Sequence, residues 1–240
     1  RENTRPAVDI ALALGTTMLP LGLVMLQPDL GTAIVFGVTV LGVLVVAGVR
    51  ARAIVTLVLL GVLGAGAALQ FGVLKQYQLD RFTAFIDPHA NTQGSAYNVT
   101  QARIAIGAGG LTGSGLFKGR QTNGQFVPEQ QTDFVFTVAG EELGFVGAAG
   151  IIVLLAIMLW RALRISGRSP DLFGRLVAAG VAVWFAFQSF VNIGMTLGIT
   201  PITGLPLPFV SYGGSAMFAN WMAVGLLLNV YRRTRLAEPG

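Results

Sequence analysis

From Leu176 to Tyr231 the chain carries no charged residue. A helix needs roughly 20 apolar residues to cross about 30 Å of hydrocarbon, so this run exceeds one crossing. Pro201, Pro206 and Pro208 divide it, because proline cannot continue a helix, and leave spans near 176–198 and 214–231. Further uncharged apolar runs at 10–26, 30–49, 53–74 and 143–160, the last starting as early as Phe134, bring the count to six spans. The expectation is an all-α integral membrane protein, a polytopic helical bundle. Composition agrees: 53% of the 240 residues are hydrophobic and 11% charged, against about 25% charged in soluble domains. That balance excludes a disordered segment and a nucleic-acid module. Cysteine is absent and His89 is the one histidine, so thiolate chemistry, disulfides and a histidine-rich metal centre are excluded as well. His89 itself, after Asp87-Pro88, reads as a turn residue.

The basic residues orient the spans. Of 16 Lys+Arg, Arg1, Arg5, Arg50, Arg52, Arg161, Arg164, Arg168, Arg175, Arg232, Arg233 and Arg235 fall on one set of ends. Only Lys75, Arg81, Arg103, Lys118 and Arg120 fall on the other. The richer side is the cytoplasmic one, which puts both termini inside and turns loop 75–132 and loop 199–213 outward. Residues 1–9 precede no small-residue cleavage site, so a signal peptide is not read there. Glycines within the spans, among them Gly31, Gly37, Gly42, Gly61, Gly64 and Gly66, are expected to let helices pack closely.

Loop 75–132 is far longer than an ordinary connection and is rich in aromatic and aliphatic anchors, so it is expected to be ordered. Within it, 97–106 reads as a short helix with Val99, Ala102 and Ile106 on one face. The glycine-rich 107–115 lacks the Gly-Lys-Ser/Thr ending of a phosphate loop and follows no strand. It reads as a tight fold-back, and neither a nucleotide nor an organic cofactor is expected.

Candidate chemistry concentrates in carboxylates. Asp133 is the last charge before the fourth span. It has two readings: an N-cap facing the positive end of a helix dipole, or a general base whose pKa is raised by partial desolvation. Thr132 could cap in its place. Glu141 and Glu142 lie about two turns further on, where ionisable groups are costly and are either paired or lining a polar cavity. Asp29 is expected to cap the second span. Ser211, beside the proline-rich loop, reads as a cavity lining or a helix-start turn.

Taken together, six blocks resemble the SEDS family of bacterial membrane proteins: 26–32, 94–101, 104–110, 128–134, 140–144 (Gly140-Glu141-Glu142-Leu143-Gly144) and 204–215. Lys118-Gly119-Arg120-Gln121-Thr122 is more similar to the RodA branch than to the FtsW branch. The resemblance implies a single SEDS-type transmembrane domain over 1–240, corresponding to family spans five to ten. The family's Gln-Pro-Ser-Glu-x-x-Lys motif precedes these spans, so the chain is expected to be the C-terminal part of a longer protein. The implied activity is a peptidoglycan glycosyltransferase of the bacterial cytoplasmic membrane, serving cell-wall elongation and cell shape. It would polymerise lipid II into β-1,4 glycan and work with a class B penicillin-binding protein. Asp133 stands where the family has its catalytic aspartate. Lys118, Arg120, Gln121, Glu129, Thr132 and Ser211 become substrate-binding candidates, and Glu141 and Glu142 cavity-lining ones. The leaving diphosphate needs cations or oriented amides, for which Lys118, Arg120 or a divalent cation (Mg or Mn) are candidates. A lipid II transporter and a non-catalytic scaffold for the penicillin-binding protein are the alternatives.

Overall fold

The computed structural model describes residues 6–27, 29–72, 75–86, 94–124 and 126–237. Its helices are α1 (Pro6–Leu26), α2 (Leu30–Val46), α3 (Ala51–Gln70), α4 (Gln76–Ile86), α5 (Ser95–Gly109), α6 (Arg120–Asn123), α7 (Val135–Glu142), α8 (Gly144–Arg168), α9 (Leu172–Leu197) and α10 (Gly214–Ala237). No strand occurs among the described residues. Helices α3, α8 and α9 are long and apolar enough to cross a membrane. Each of α1, α2, α3, α8, α9 and α10 coincides with one of the six apolar runs, within several residues at the ends. His89 lies outside the described residues.

Helix α9 is the hub, packing on α2, α5, α7, α8 and α10. Its small residues make this possible: Ala178, Ala179 and Ala182 are fully or almost fully buried. Ala178, Ala182 and Phe185 meet Ala162 of α8 and Ala223, Leu227 and Val230 of α10 in one core cluster. The Asp29 carboxylate caps α2 through the Thr32 amide at 3.0 Å, as its position before the helix leads one to expect. Asp171 does the same for α9 through the Gly174 amide at 2.7 Å.

The glycine expectation divides. A β-carbon at Gly31 would stand 2.7 Å from the Thr203 carbonyl, and one at Gly42 2.7 Å from Val183, so both mark close approaches. Gly37, Gly61, Gly64 and Gly66 face open space within the described residues. Helix α3 correspondingly buries none of its residues there.

The fourth span departs from a continuous helix starting near Phe134. It breaks at Leu143, where Gly144 takes φ +67, and α8 starts afresh. A break leaves backbone donors and acceptors unpaired, which deep in a bilayer is tolerated only when protein re-satisfies them. The glycine-rich fold-back does this. Ser114 and Gly115 amides donate to the Glu141 and Glu142 carbonyls at 2.9 and 3.0 Å, while Phe145 and Val146 amides donate to the Gly110 and Leu111 carbonyls at 2.9 and 3.1 Å. A β-carbon at Gly109 or Gly113 would collide with the Gly140 or Glu142 carbonyl. Gly109 and Gly113 thus serve backbone contact with the α7–α8 break.

Among its described residues, loop 75–132 carries α4, α5 and α6. Helix α5 extends the expected 97–106, and its buried face carries Ala102 at 0% exposure. Val99 and Ala102 pack with Val127, Phe134, Met195 and Ile202, which ties the loop to the end of α9.

Candidate functional site

Pro128 forces a turn, and Glu129 completes it in the left-handed region at φ +54. The Glu129 carbonyl then gathers the amides of Thr132, Asp133 and Phe134 at 3.3, 3.1 and 3.2 Å. This answers the capping question. The N-cap of α7 is Phe134, with no side-chain cap, so neither Asp133 nor Thr132 caps that helix by its side chain. The Asp133 carboxylate is left free to face other groups.

Three elements converge on it. Its Oδ2 lies 3.3 Å from where a β-carbon of Gly204 would stand, and the Arg81 guanidinium comes within 3.8 Å of the same point. Gly204, at φ +74, leaves that space empty. Arg81 is fixed by a hydrogen bond to the Thr203 carbonyl at 3.3 Å. The Thr132 hydroxyl donates to Glu129 Oε2 at 3.2 Å and lies beside the Asp133 carboxylate. Burial pushes the Asp133 carboxyl above its ordinary value, and the negative charge of Glu129 adds to this. The Thr132 hydroxyl and the Arg81 charge pull it back, and Asp29 raises it slightly.

Polar side chains of α9 hold the proline-rich loop in place. Asn192, at 0% exposure, donates from Nδ2 to the Asp133 carbonyl at 2.8 Å and to the Leu205 carbonyl at 2.6 Å. Gln188 donates to the Pro206 carbonyl at 2.7 Å and accepts from Trp184 Nε1. Ser211 donates to the Thr132 carbonyl and accepts the Leu207 amide. The Tyr212 amide reaches the Gln131 carbonyl at 2.8 Å. Phe209, at φ +64, is gripped edge-on by Phe185 and Trp221.

Two hollows flank the Thr203–Pro206 stretch on which Asp133 rests. A cleft of about 60 Å³ lies among Leu30, Gly31, Tyr77, Arg81 and Thr203. An apolar groove of about 360 Å³ runs between α2 and α9, lined by Val35, Phe36, Trp184, Leu205 and Pro206. Asp133 itself lines neither. Among the described residues, Thr203 Oγ1 and Asn192 Oδ1 are buried without a partner, which marks a place for water or a polar ligand.

The candidates therefore divide into two groups. Glu129, Thr132 and Ser211 surround Asp133 and its backbone. Lys118, Arg120, Gln121, Glu141 and Glu142 gather at the far end of α7, whose helical rise separates the groups by about 12 Å. There the buried Glu141 carboxylate receives the Gln121 and Thr122 amides at 2.8 and 2.9 Å and the Thr122 hydroxyl at 2.7 Å. It anchors the start of α6 and is not open to a cavity. Glu142 is buried beside it, while Lys118 and Arg120 are exposed. The cation standing at Asp133 is Arg81, which sequence reasoning counted only as outer-loop charge. Asn192 and Gln188 were missed too, although polar residues inside an apolar run are a usable signal. Among the described residues no group of three His, Asp or Glu side chains is placed to hold a metal ion.

An all-helical bundle with membrane-length apolar helices, carrying a partly desolvated carboxylate under a proline-rich loop at one end, defines a polytopic membrane protein with a polar site at its boundary. Residues 1–236 match the family model FtsW/RodA/SpoVE, described as cell cycle protein, and the chain belongs to that family. It is 41% identical over 223 residues to stage V sporulation protein E of Bacillus subtilis (strain 168), covering 93% of this chain and 60% of that protein. It is 39% identical over 225 residues to peptidoglycan glycosyltransferase MrdB of Escherichia coli (strain K12), covering 94% and 60%. The fold is similar to a chain solved in work on the structural coordination of polymerization and crosslinking by a peptidoglycan synthase complex. There the TM-score is 0.76 at 35% identity, over 94% of this chain and 62% of that one. Against the rod shape determining protein RodA of Thermus thermophilus the TM-score is 0.63 at 31% identity, over 95% and 58%. The chain thus spans about 60% of the length of the curated relatives it matches.

Proposed function

We propose that this chain carries the catalytic half of a peptidoglycan glycosyltransferase that polymerises lipid II at the outer face of the bacterial cytoplasmic membrane. Six spans, with loops 75–132 and 199–213 outward and both termini inside, are the topology that goes with it. The observation that carries the reading is the Asp133 carboxylate: uncommitted to any cap, raised in pKa, and held at a helix boundary by Asn192 and Ser211 through neighbouring backbone.

Extending a glycan requires removal of a proton from a sugar 4-hydroxyl as its oxygen attacks the anomeric carbon and the lipid diphosphate leaves. A carboxylate within hydrogen-bond reach of that hydroxyl serves as general base, contributing about 10²–10⁴-fold. Asp133 takes that role and carries the proton off. The departing diphosphate gathers negative charge and is stabilised by a fixed cation. Arg81, anchored on Thr203, is better placed for this than Lys118 or Arg120. Magnesium is commonly held by one or two carboxylates together with substrate phosphates, and Glu129, beside Asp133, would be the carboxylate to supply one. The donor's lipid tail needs an apolar lane, and the α2–α9 groove beside Leu205 and Pro206 offers one. A class B penicillin-binding protein is the proposed partner. The transporter reading draws on the polytopic fold and on the Glu141–Glu142 pair, and of these Glu141 is committed to α6.

The test is Asp133→Asn in the full-length protein, assayed on purified lipid II with gel separation of glycan products. Loss of polymer with intact expression and partner binding is expected. Polymerisation at the unaltered rate would overturn the base assignment, and absence of polymer from the wild type as well would favour the scaffold reading.

A further inference from the structure

A second polar site lies at the opposite end of the bundle. Gly174 near the start of α9 packs against Val230 of α10, and the rise from there to Asn192 is about 27 Å. At this end a cavity of about 200 Å³ is lined by Arg161, Arg164 and Arg168 of α8 with Tyr231, Thr234 and Arg235 of α10. Four guanidiniums around one small hollow repel each other unless an anion joins them. Among the described residues none of the four has a carboxylate partner within ion-pair distance. Two are held in place by aromatic rings: Arg164 lies 5.0 Å over Trp160. Arg235 lies 5.4 Å over Tyr231 and donates from Nε to its hydroxyl at 3.0 Å. Their outer nitrogens remain available as forks that match phosphate geometry. The volume is below the about 300–1,000 Å³ typical of sites for drug-sized ligands, which suits a single phosphate group.

The surface leading to the cavity indicates where that phosphate comes from. Val153, Ile157, Trp160 and Arg164 recur at helical spacing on α8, and Leu228, Tyr231 and Arg235 do so on α10. Val153, Ile157, Trp160 and Leu228 are all more than half exposed. Each stripe runs from aliphatic through aromatic to arginine, the order that acyl chains, interface and headgroup present in a bilayer leaflet. A soluble phosphate would have no use for the aliphatic part. We propose that the α8–α10 cavity binds the phosphate of an anionic glycerophospholipid headgroup, with its acyl chains lying along Ile157 and Leu228. Basic pockets between membrane helices are suited to such headgroups.

Native mass spectrometry of the full-length protein, titrated with dioleoyl phosphatidylglycerol or dioleoyl phosphatidylcholine, tests this. The wild type should prefer the anionic lipid, and R161Q/R164Q/R235Q should weaken its binding by roughly a hundredfold. R161K/R164K/R235K, which keeps the charge but not the forks, should restore part of the preference and so separate loss of the site from loss of the fold. R50Q/R52Q/R232Q removes equal charge outside the cavity and should leave binding unchanged. Equal loss in this control would show general surface attraction and overturn the site. So would equal loss in the lysine variant, unchanged binding in the glutamine variant, or displacement of the lipid by millimolar glycerol phosphate.

Discussion

Asn192→Ala offers the sharpest test of how the candidate site is held. The amide nitrogen of Asn192 joins two otherwise separate pieces of backbone, the Asp133 carbonyl and the Leu205 carbonyl. Hydrogen bonds inside membrane proteins average about 0.6 kcal/mol and reach about 1.7, but a buried carbonyl left unpaired costs about 1–3. With two carbonyls affected and a small cavity opened, truncation should cost about 2–4 kcal/mol. Ser189→Ala is the internal reference. Ser189 sits one turn earlier on α9 at 6% exposure, and its hydroxyl has no partner among the described residues. Removing it should change stability by no more than about 0.5 kcal/mol, since no bond is lost. Thermal unfolding of the full-length protein in one detergent measures the difference. Glycan synthesis should fall more steeply than stability alone requires, because a shift of about 1 Å in a reacting group can cost 10²-fold. Equal melting temperatures for the two variants would refute the clamp, and full activity in Asn192→Ala would refute its bearing on Asp133.

Other consequences follow from the charges. Arg81→Gln should move the acid limb of the pH–activity profile to higher pH, since the guanidinium holds the Asp133 pKa down; an unmoved limb would separate Arg81 from the base. Because Asp133 has a raised pKa in the fold, its contribution to stability is full below the ordinary aspartate value and is lost as pH rises through the raised one. Asp133→Asn should therefore melt above the wild type near neutral pH, with the gap closing in acid. Glu141→Gln sets an amide NH₂ against backbone donors and loses a charge-assisted hydrogen bond, a cost of about 1.5–3 kcal/mol. Faster hydrogen exchange at the Gln121 and Thr122 amides would report it, and unchanged exchange would show that Glu141 does not anchor α6.

Particular residues show how far the sequence reached. The apolar runs located the long helices because a hydrocarbon solvent leaves little freedom in composition or length. Asp29 was legible as a cap because capping is local, spanning three residues. The α7–α8 break was not legible. Leu143-Gly144 continues an apolar pattern, and what permits the break is a loop some 30 residues upstream that supplies the missing hydrogen bonds. Glu141 was misplaced for the same reason: its partners, Gln121 and Thr122, are remote in sequence and use backbone amides that no side-chain pattern reveals.

What the sequence determined alone was the solvent this chain folds in, the helices that solvent demands, and Asp133 as the acid to examine. These depend on composition, local spacing and a motif, which survive any arrangement of the elements. Tertiary structure decided that Asp133 caps nothing, that Arg81 rather than Lys118 or Arg120 stands beside it, and that Asn192 ties it to the proline loop. Those facts depend on which elements meet, and carbonyls, hollows and charges acquire their partners only once distant segments have packed against each other.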